Sequence, residues 1–191
     1  SDLVLADAAI DQRMAEIEVA AVGFKALADL AGEFSRTGQE GFRTALEVSA
    51  YSLLPIARAA AARMEAGGSI QTLTFHAAEK VYPGYNIMGV AKAALESSVR
   101  YLANDLGPDG IRVNAISPGP MKTLAGAAIG GARKTYRHTE ENAPMRSNAT
   151  LESVGGTAVY LASDAGAFTT GEIIRVDGGF HVLGMPQPDY L

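Results

Sequence analysis

Tyr85 and Lys92 stand seven residues apart in the run YNIMGVAK. If that run is helical, about 3.6 residues per turn bring both side chains to one face, about 10 Å apart along the axis. Two long side chains can converge across that gap on a ligand lying between them. A phenol with its ordinary pKa near 10 keeps its proton at neutral pH, so it can donate a hydrogen bond or a proton to a developing oxyanion. A fixed positive charge nearby favours that step, and Lys92 can supply it. Spacing alone does not separate this pair from a Tyr and a Lys that share a helix face by chance.

The elements that must position the pair follow from the pattern around it. Five β-type runs occur: SDLVL at the start, VAAVGF at 19–24, SIQTLTF at 69–75, IRVNAIS at 111–117 and EIIRVD at 172–177. They carry Val, Ile and Leu without strict alternation and are separated by helix-length segments. That arrangement predicts an α/β protein with a doubly wound parallel sheet covered by helices on both sides. A helix is expected from about Gly41 to Glu65, with Phe42, Leu46, Ser49, Leu53 and Ile56 on its packed face and Gly67-Gly68 as its stop. A second, rich in alanine, is expected from Tyr85 to Leu106, before Gly107-Pro108. A third opens at Asn148-Ala-Thr150, with Glu152 near its positive end.

Composition narrows the function classes. The 191 residues are 48% hydrophobic and 19% charged with 21 glycines, which suits one compact domain spanning 1–191. A net charge of -5 gives no general attraction to nucleic acid or to an anionic membrane. There are no cysteines, and His76, His138 and His181 are far apart in sequence, so no metal site is expected. The chain has no apolar run of the roughly 18 residues that a membrane helix needs and no secretory signal pattern, so a cytoplasmic location is expected.

The run PGYNIMGVAKAALESSVRYLANDLGPDGIRVNAISPGPMKTLAG resembles the catalytic helix and following strand of bacterial enoyl-acyl-carrier-protein reductases, a branch of the short-chain dehydrogenase/reductase superfamily with a Rossmann-like fold. LASDAGAFTTGEIIRVDGGFHVLGM is similar to that family's last helix and closing strand, and the match runs from about Gly41 to Met185. Ordinary superfamily members place the lysine four positions after the tyrosine, where this chain has Gly89; the longer spacing marks the enoyl-reductase branch.

The resemblance implies reduction of a trans-2 double bond conjugated to a thioester in fatty-acid biosynthesis. NADH is the implied hydride donor, with NADPH as the alternative. Tyr85 would hydrogen-bond the enolate oxygen, and Lys92 would bind the nicotinamide ribose and favour the same anion. Val22, Gly23, Gly119, Pro120, Met121 and Thr123 match cofactor-binding positions, and Phe75, Met88 and Ile129 match substrate-binding ones. Substrate-covering helices are implied at about 121–147, with Arg133 and Lys134 facing an acyl carrier protein. A homotetramer pairing the helices at 41–65 and 85–106 is the family habit.

Three departures stand out. Phe75 occupies the place of a second active-site tyrosine, followed by His76; Ala132 stands where the family often has phenylalanine; and the Gly-rich pyrophosphate loop of the first strand-helix units is absent. The joins at Leu5-Ala6 and Glu18-Val19 lack expected loops and are read as places where segments of a longer chain meet. Two other readings stay open: a non-catalytic remnant or interaction protein of the same fold, and a carbonyl reductase of the same superfamily.

Overall fold

The computed structural model describes residues 34–64, 67–121 and 132–190. The expected strands at 1–5 and 19–24 lie outside these residues, as do Val22, Gly23, Thr123 and Ile129. Helix α1 (Gln39–Leu46) runs through a π turn (Glu47–Tyr51) into α2 (Leu53–Ala61). Strand β1 (Gly68–Leu73), helix α3 (Ile87–Leu106) and strand β2 (Ile111–Pro118) follow, then α4 (Ala132–Asn142), α5 (Leu151–Ala162) and β3 (Ile173–Val176). Among the described residues the sheet has three strands in the order β1-β2-β3. Both pairings are parallel, with Ile70 opposite Val113 and Ile116 opposite Ile174. Among the described residues no helix is long and apolar enough to cross a membrane.

Side chains alternate across the strands and so divide between two layers of helix. Ile70, Ile111, Val113 and Ala115 join Ala50, Leu53 and Ala57 of the first helical segment and Leu95, Val99 and Ala103 of α3 in one buried cluster. On the opposite face, Ser69 donates from Oγ to the Leu161 carbonyl at 2.9 Å and Gln71 from Nε2 to the Ala158 carbonyl at 3.0 Å, tying α5 to β1. Helices therefore cover both sides of a parallel sheet, as expected. Asn114, wholly buried in β2, donates from Nδ2 to the Thr169 carbonyl and accepts from the Glu172 N–H through Oδ1, locking the entry to β3.

Three helix readings need correction. The expected helix at 41–65 ends at Ala61, and Gly68 belongs to β1. Pro55 lacks the N–H that would bond the Tyr51 carbonyl, and the helix widens to a π turn just before it, where Ser52 donates from Oγ to the Val48 carbonyl. The wider turn rotates the packed face. Ala45, Ser49, Ala50, Leu53 and Ala57 are buried, while Phe42 and Ile56 are exposed. The helix expected from Tyr85 begins at Ile87, because Gly84 has φ +85° and Asn86 has φ 44° with ψ -120°, off the helical path. α5 starts as expected, with Thr150 and Ser153 forming a reciprocal capping box and Glu152 in the first turn.

Candidate functional site

Parallel register aligns the carboxyl ends of the three strands, so Phe75, Gly119 and Asp177 each follow a strand at the same edge of the sheet. Thr74 extends β1 by donating its N–H to the Ile116 carbonyl at 2.9 Å, and Gly119 extends β2 by donating to the Val176 carbonyl at 2.8 Å. A Cβ at Gly119 would stand 3.2 Å from the Asp177 Cα, so the backbones of two strand ends meet where only glycine fits without displacement. In open α/β sheets this edge is where ligands bind.

Tyr85 and Lys92 both converge on the end of β1. The Tyr85 ring lies 5.0 Å from the Phe75 ring at 53°, and Phe75 also meets Tyr82 edge-on at 5.2 Å. Lys92, in the second turn of α3, donates from Nζ to the Leu73 carbonyl at 2.9 Å. Tyr85 sits in the turn before the helix, so the pair is brought together by strand β1 rather than by two turns of one helix. Burial pushes the Tyr85 hydroxyl up to about 12. It therefore holds its proton at neutral pH and acts as a donor. Burial pulls Lys92 down to about 8, opposed by the nearby charge of Glu96.

Gly89 stands four residues after Tyr85. A Cβ at that position would come within 2.7 Å of the Ala77 carbonyl oxygen, a backbone atom in the turn that follows Phe75. No side chain fits four residues after Tyr85, and the next position on that face toward β1 is Lys92. Met88 is buried in a cluster with Ala45, Ile87 and Ala91, with the Ser49 hydroxyl 3.9 Å from its sulfur. Pro120 and Met121 are half-buried beyond Gly119, and Arg133 and Lys134 are exposed in the first turn of α4.

Two features of this edge were not legible in the sequence. His76 and His138 both meet the Phe180 ring edge-on, at 5.9 and 5.8 Å, and His181 follows Phe180 with its Nδ1 3.0 Å from the buried Asp177 carboxylate. Histidines distant in sequence thus gather at the end of β3. Burial lowers the His76 pKa, with Asp177 the largest opposing influence. Among the described residues no group of three or more His, Cys, Asp or Glu could hold a metal ion. The second feature is a buried contact in which the Thr74 hydroxyl donates to Glu96 Oε1 at 2.7 Å.

Comparison with known proteins adds to this geometry. The family model described as "Enoyl-(Acyl carrier protein) reductase" matches residues 5–181. Enoyl-[acyl-carrier-protein] reductase [NADH] 1 of Rhizobium meliloti is 46% identical over 194 residues, covering 99% of this chain and 71% of that protein. The enoyl-[acyl-carrier-protein] reductase [NADH] FabI of Bacillus cereus is 53% identical over 156 residues, 82% of this chain and 61% of the relative. Among solved structures, the reductase of Anaplasma phagocytophilum in complex with NAD superposes with a TM-score of 0.79 at 50% identity, covering 83% of this chain and 61% of that one. The chain thus spans about 61% to 71% of the length of these relatives.

Proposed function

The chain belongs to the enoyl-(acyl carrier protein) reductase family, and on that premise we propose that it reduces the trans-2 double bond of an enoyl thioester carried on acyl carrier protein, using NADH. The observation that carries this reading is the convergence of Tyr85 and Lys92 on the end of β1. A hydroxyl that keeps its proton and a cation in the second turn of α3 suit a reaction in which negative charge appears on a carbonyl oxygen.

The described residues fit the nicotinamide half of a dinucleotide. Gly119 leaves bare backbone where the β2 and β3 ends meet, and Lys92 places an ammonium at the same edge. Reduced nicotinamide, when bound, supplies the hydride. Lys92, which now donates to the Leu73 carbonyl, would hold the ribose hydroxyls; Gly119, Pro120, Met121 and Thr123 would meet the carboxamide and the pyrophosphate, and Val22 and Gly23 are assigned to a strand end beside the cofactor. Tyr85 donates its hydrogen bond to the thioester oxygen, most strongly when that oxygen carries the enolate charge. Phe75, which packs on Tyr85, holds the phenol in place, and the family resemblance assigns Met88 and Ile129 to the acyl chain.

Acyl carrier protein is acidic, and α4 offers it Arg133 and Lys134 at the helix's positive end. Cations in that turn oppose the helix dipole, a local cost that a docking role would justify. The same reading assigns residues from about 121 to 147 to the substrate cover and 1–191 to one domain, with assembly as a homotetramer through α1–α2 and α3.

The test is NADH oxidation with a crotonyl thioester set against an acetoacetyl thioester. Consumption with the crotonyl compound alone is expected. Consumption with only the acetoacetyl compound would make the protein a carbonyl reductase, and none with either would favour the non-catalytic reading.

A further inference from the structure

Glu96 is a carboxylate with only 5% of its surface exposed, on a helix otherwise packed through alanine and aliphatic side chains. Leaving such a group without partners would be costly, so its contacts carry information. Its Oε1 accepts from the Thr74 hydroxyl at 2.7 Å. Thr74 lies between Leu73, whose carbonyl receives the Lys92 ammonium, and Phe75, whose ring receives Tyr85. One side-chain hydrogen bond, added to the backbone bond from Thr74 to Ile116, thus ties the residue between the two acceptors of the candidate pair to α3. Glu96 also lies four residues after Lys92 on α3, on the same helix face.

We propose that Glu96 is a positioning residue of this site: through Thr74 it anchors the end of β1 that seats Lys92 and Tyr85, and it supplies a fixed negative charge one helical turn beyond Lys92. The role rests on the reductase reading for its effect on rate, but the coupling to Lys92 exists without turnover. The charged groups facing Glu96 are Lys92 and Arg100 on its own helix, Glu79 in the segment after β1 and Arg175 on β3, which pairs with Glu79. Burial raises the pKa of Glu96 while the Thr74 hydroxyl favours its ionised form. Removing the carboxylate therefore withdraws the one influence that holds Lys92 up against burial.

Two measurements decide the matter. Competitive acetylation of the folded protein across pH, read lysine by lysine by mass spectrometry, follows Lys92 without any substrate. Lys92 is expected to titrate near about 8 in the unsubstituted protein and about one unit lower in Glu96→Gln, a tenfold change in proton affinity. The second measurement is the pH profile of kcat/KM for a crotonyl thioester with NADH, whose alkaline limb should move down by the same interval. Thr74→Val should lower kcat about tenfold with KM within about threefold, and Thr74→Ser should restore most of it.

A folded Glu96→Gln protein in which Lys92 titrates unchanged overturns the proposal, as does Thr74→Ser performing no better than Thr74→Val. If Glu96→Gln fails to fold, Glu96→Asp serves instead. It keeps the charge but shortens the reach to Thr74, so the Lys92 titration should hold while kcat falls, and a titration lowered as if the charge were gone overturns the idea. Absence of turnover in the unsubstituted protein, with Lys92 still responding to Glu96→Gln, sinks the reductase reading and leaves the coupling supported.

Discussion

The two ends of the sheet are held by different means. At the amino end, Gly67 and Gly110 bring two backbones together: a Cβ at Gly67 would stand 2.6 Å from the Gly110 carbonyl oxygen, and the Gly68 N–H donates to that same oxygen. Both glycines have positive φ, at 83° and 72°. At the carboxyl end, side chains add closures to the backbone contacts of Thr74 and Gly119: Lys92 to Leu73, Thr74 to Glu96, and Asp177 to the N–H groups of Gly179 and His181. A junction of backbone alone has no titratable group and can only be right or strained. A junction of side chains can change partners, and His76, Tyr85, Lys92 and Glu96, whose pKa values burial displaces, gather around it.

Substitutions at the two ends should therefore fail in different ways. The largest effect is expected from Lys92→Met, which removes the cation but leaves a side chain of similar length. On the proposed roles, losing the ribose contact and the charge that favours the anion costs about 2 to 4 kcal/mol, or roughly 30- to 1000-fold in kcat/KM. Urea unfolding should show no loss of stability, because the ammonium is already disfavoured by burial. Full turnover in this variant would erase the functional half of the contrast.

Gly67→Ala comes next and should do the reverse. Adding a methyl at a positive φ and against a carbonyl should cost about 2 to 3 kcal/mol of stability, while each folded molecule retains its kcat/KM. A variant that unfolds at the same urea concentration would show that the amino end is slack.

The smallest effect is one of pH. Lys92 loses its proton near about 8 in the folded protein against an ordinary 10.5. Below about 8 the fold carries the full cost of the buried charge. Between there and 10.5 the unfolded chain binds a proton that the folded one has released, so the cost fades and the Lys92 contribution to stability rises with pH. Turnover that needs the cation should fall through the same window. Parallel pH profiles of kcat/KM and of urea midpoints should thus diverge above about 8, and profiles that fall together would assign the alkaline loss to unfolding.

The layout of the sheet was legible because β-branched runs separated by helix-length segments leave few alternatives to parallel pairing. The start of α5 was equally plain, since Thr150 and Glu152 are local signals. The failures share a cause in contacts distant along the chain or in single unusual dihedrals. Tyr85 reads as helical from its neighbours, yet Asn86 at φ 44° sets it outside. Nothing local in the sequence marks Glu96, and only the arrival of Thr74 from β1 shows it to be buried and held. The gathering of His76 and His138 around Phe180 depends on three separate segments meeting, which no local pattern records.

Gly89 carries a consequence for how such a chain can change over generations. The common superfamily spacing would put the lysine at position 89, where even a methyl would press on the Ala77 carbonyl at 2.7 Å. A lineage cannot add a lysine at position 89 while the turn after Phe75 keeps its place, because the fold objects before any rate is gained. The other way to a spacing of four keeps Lys92 and moves the tyrosine to position 88, where Met88 is now buried against Ala45 and Ala91. The first route requires the turn at His76–Ala78 to move back from α3 in advance. A single carbonyl oxygen thus decides which of the two routes is open to the chain as it now folds.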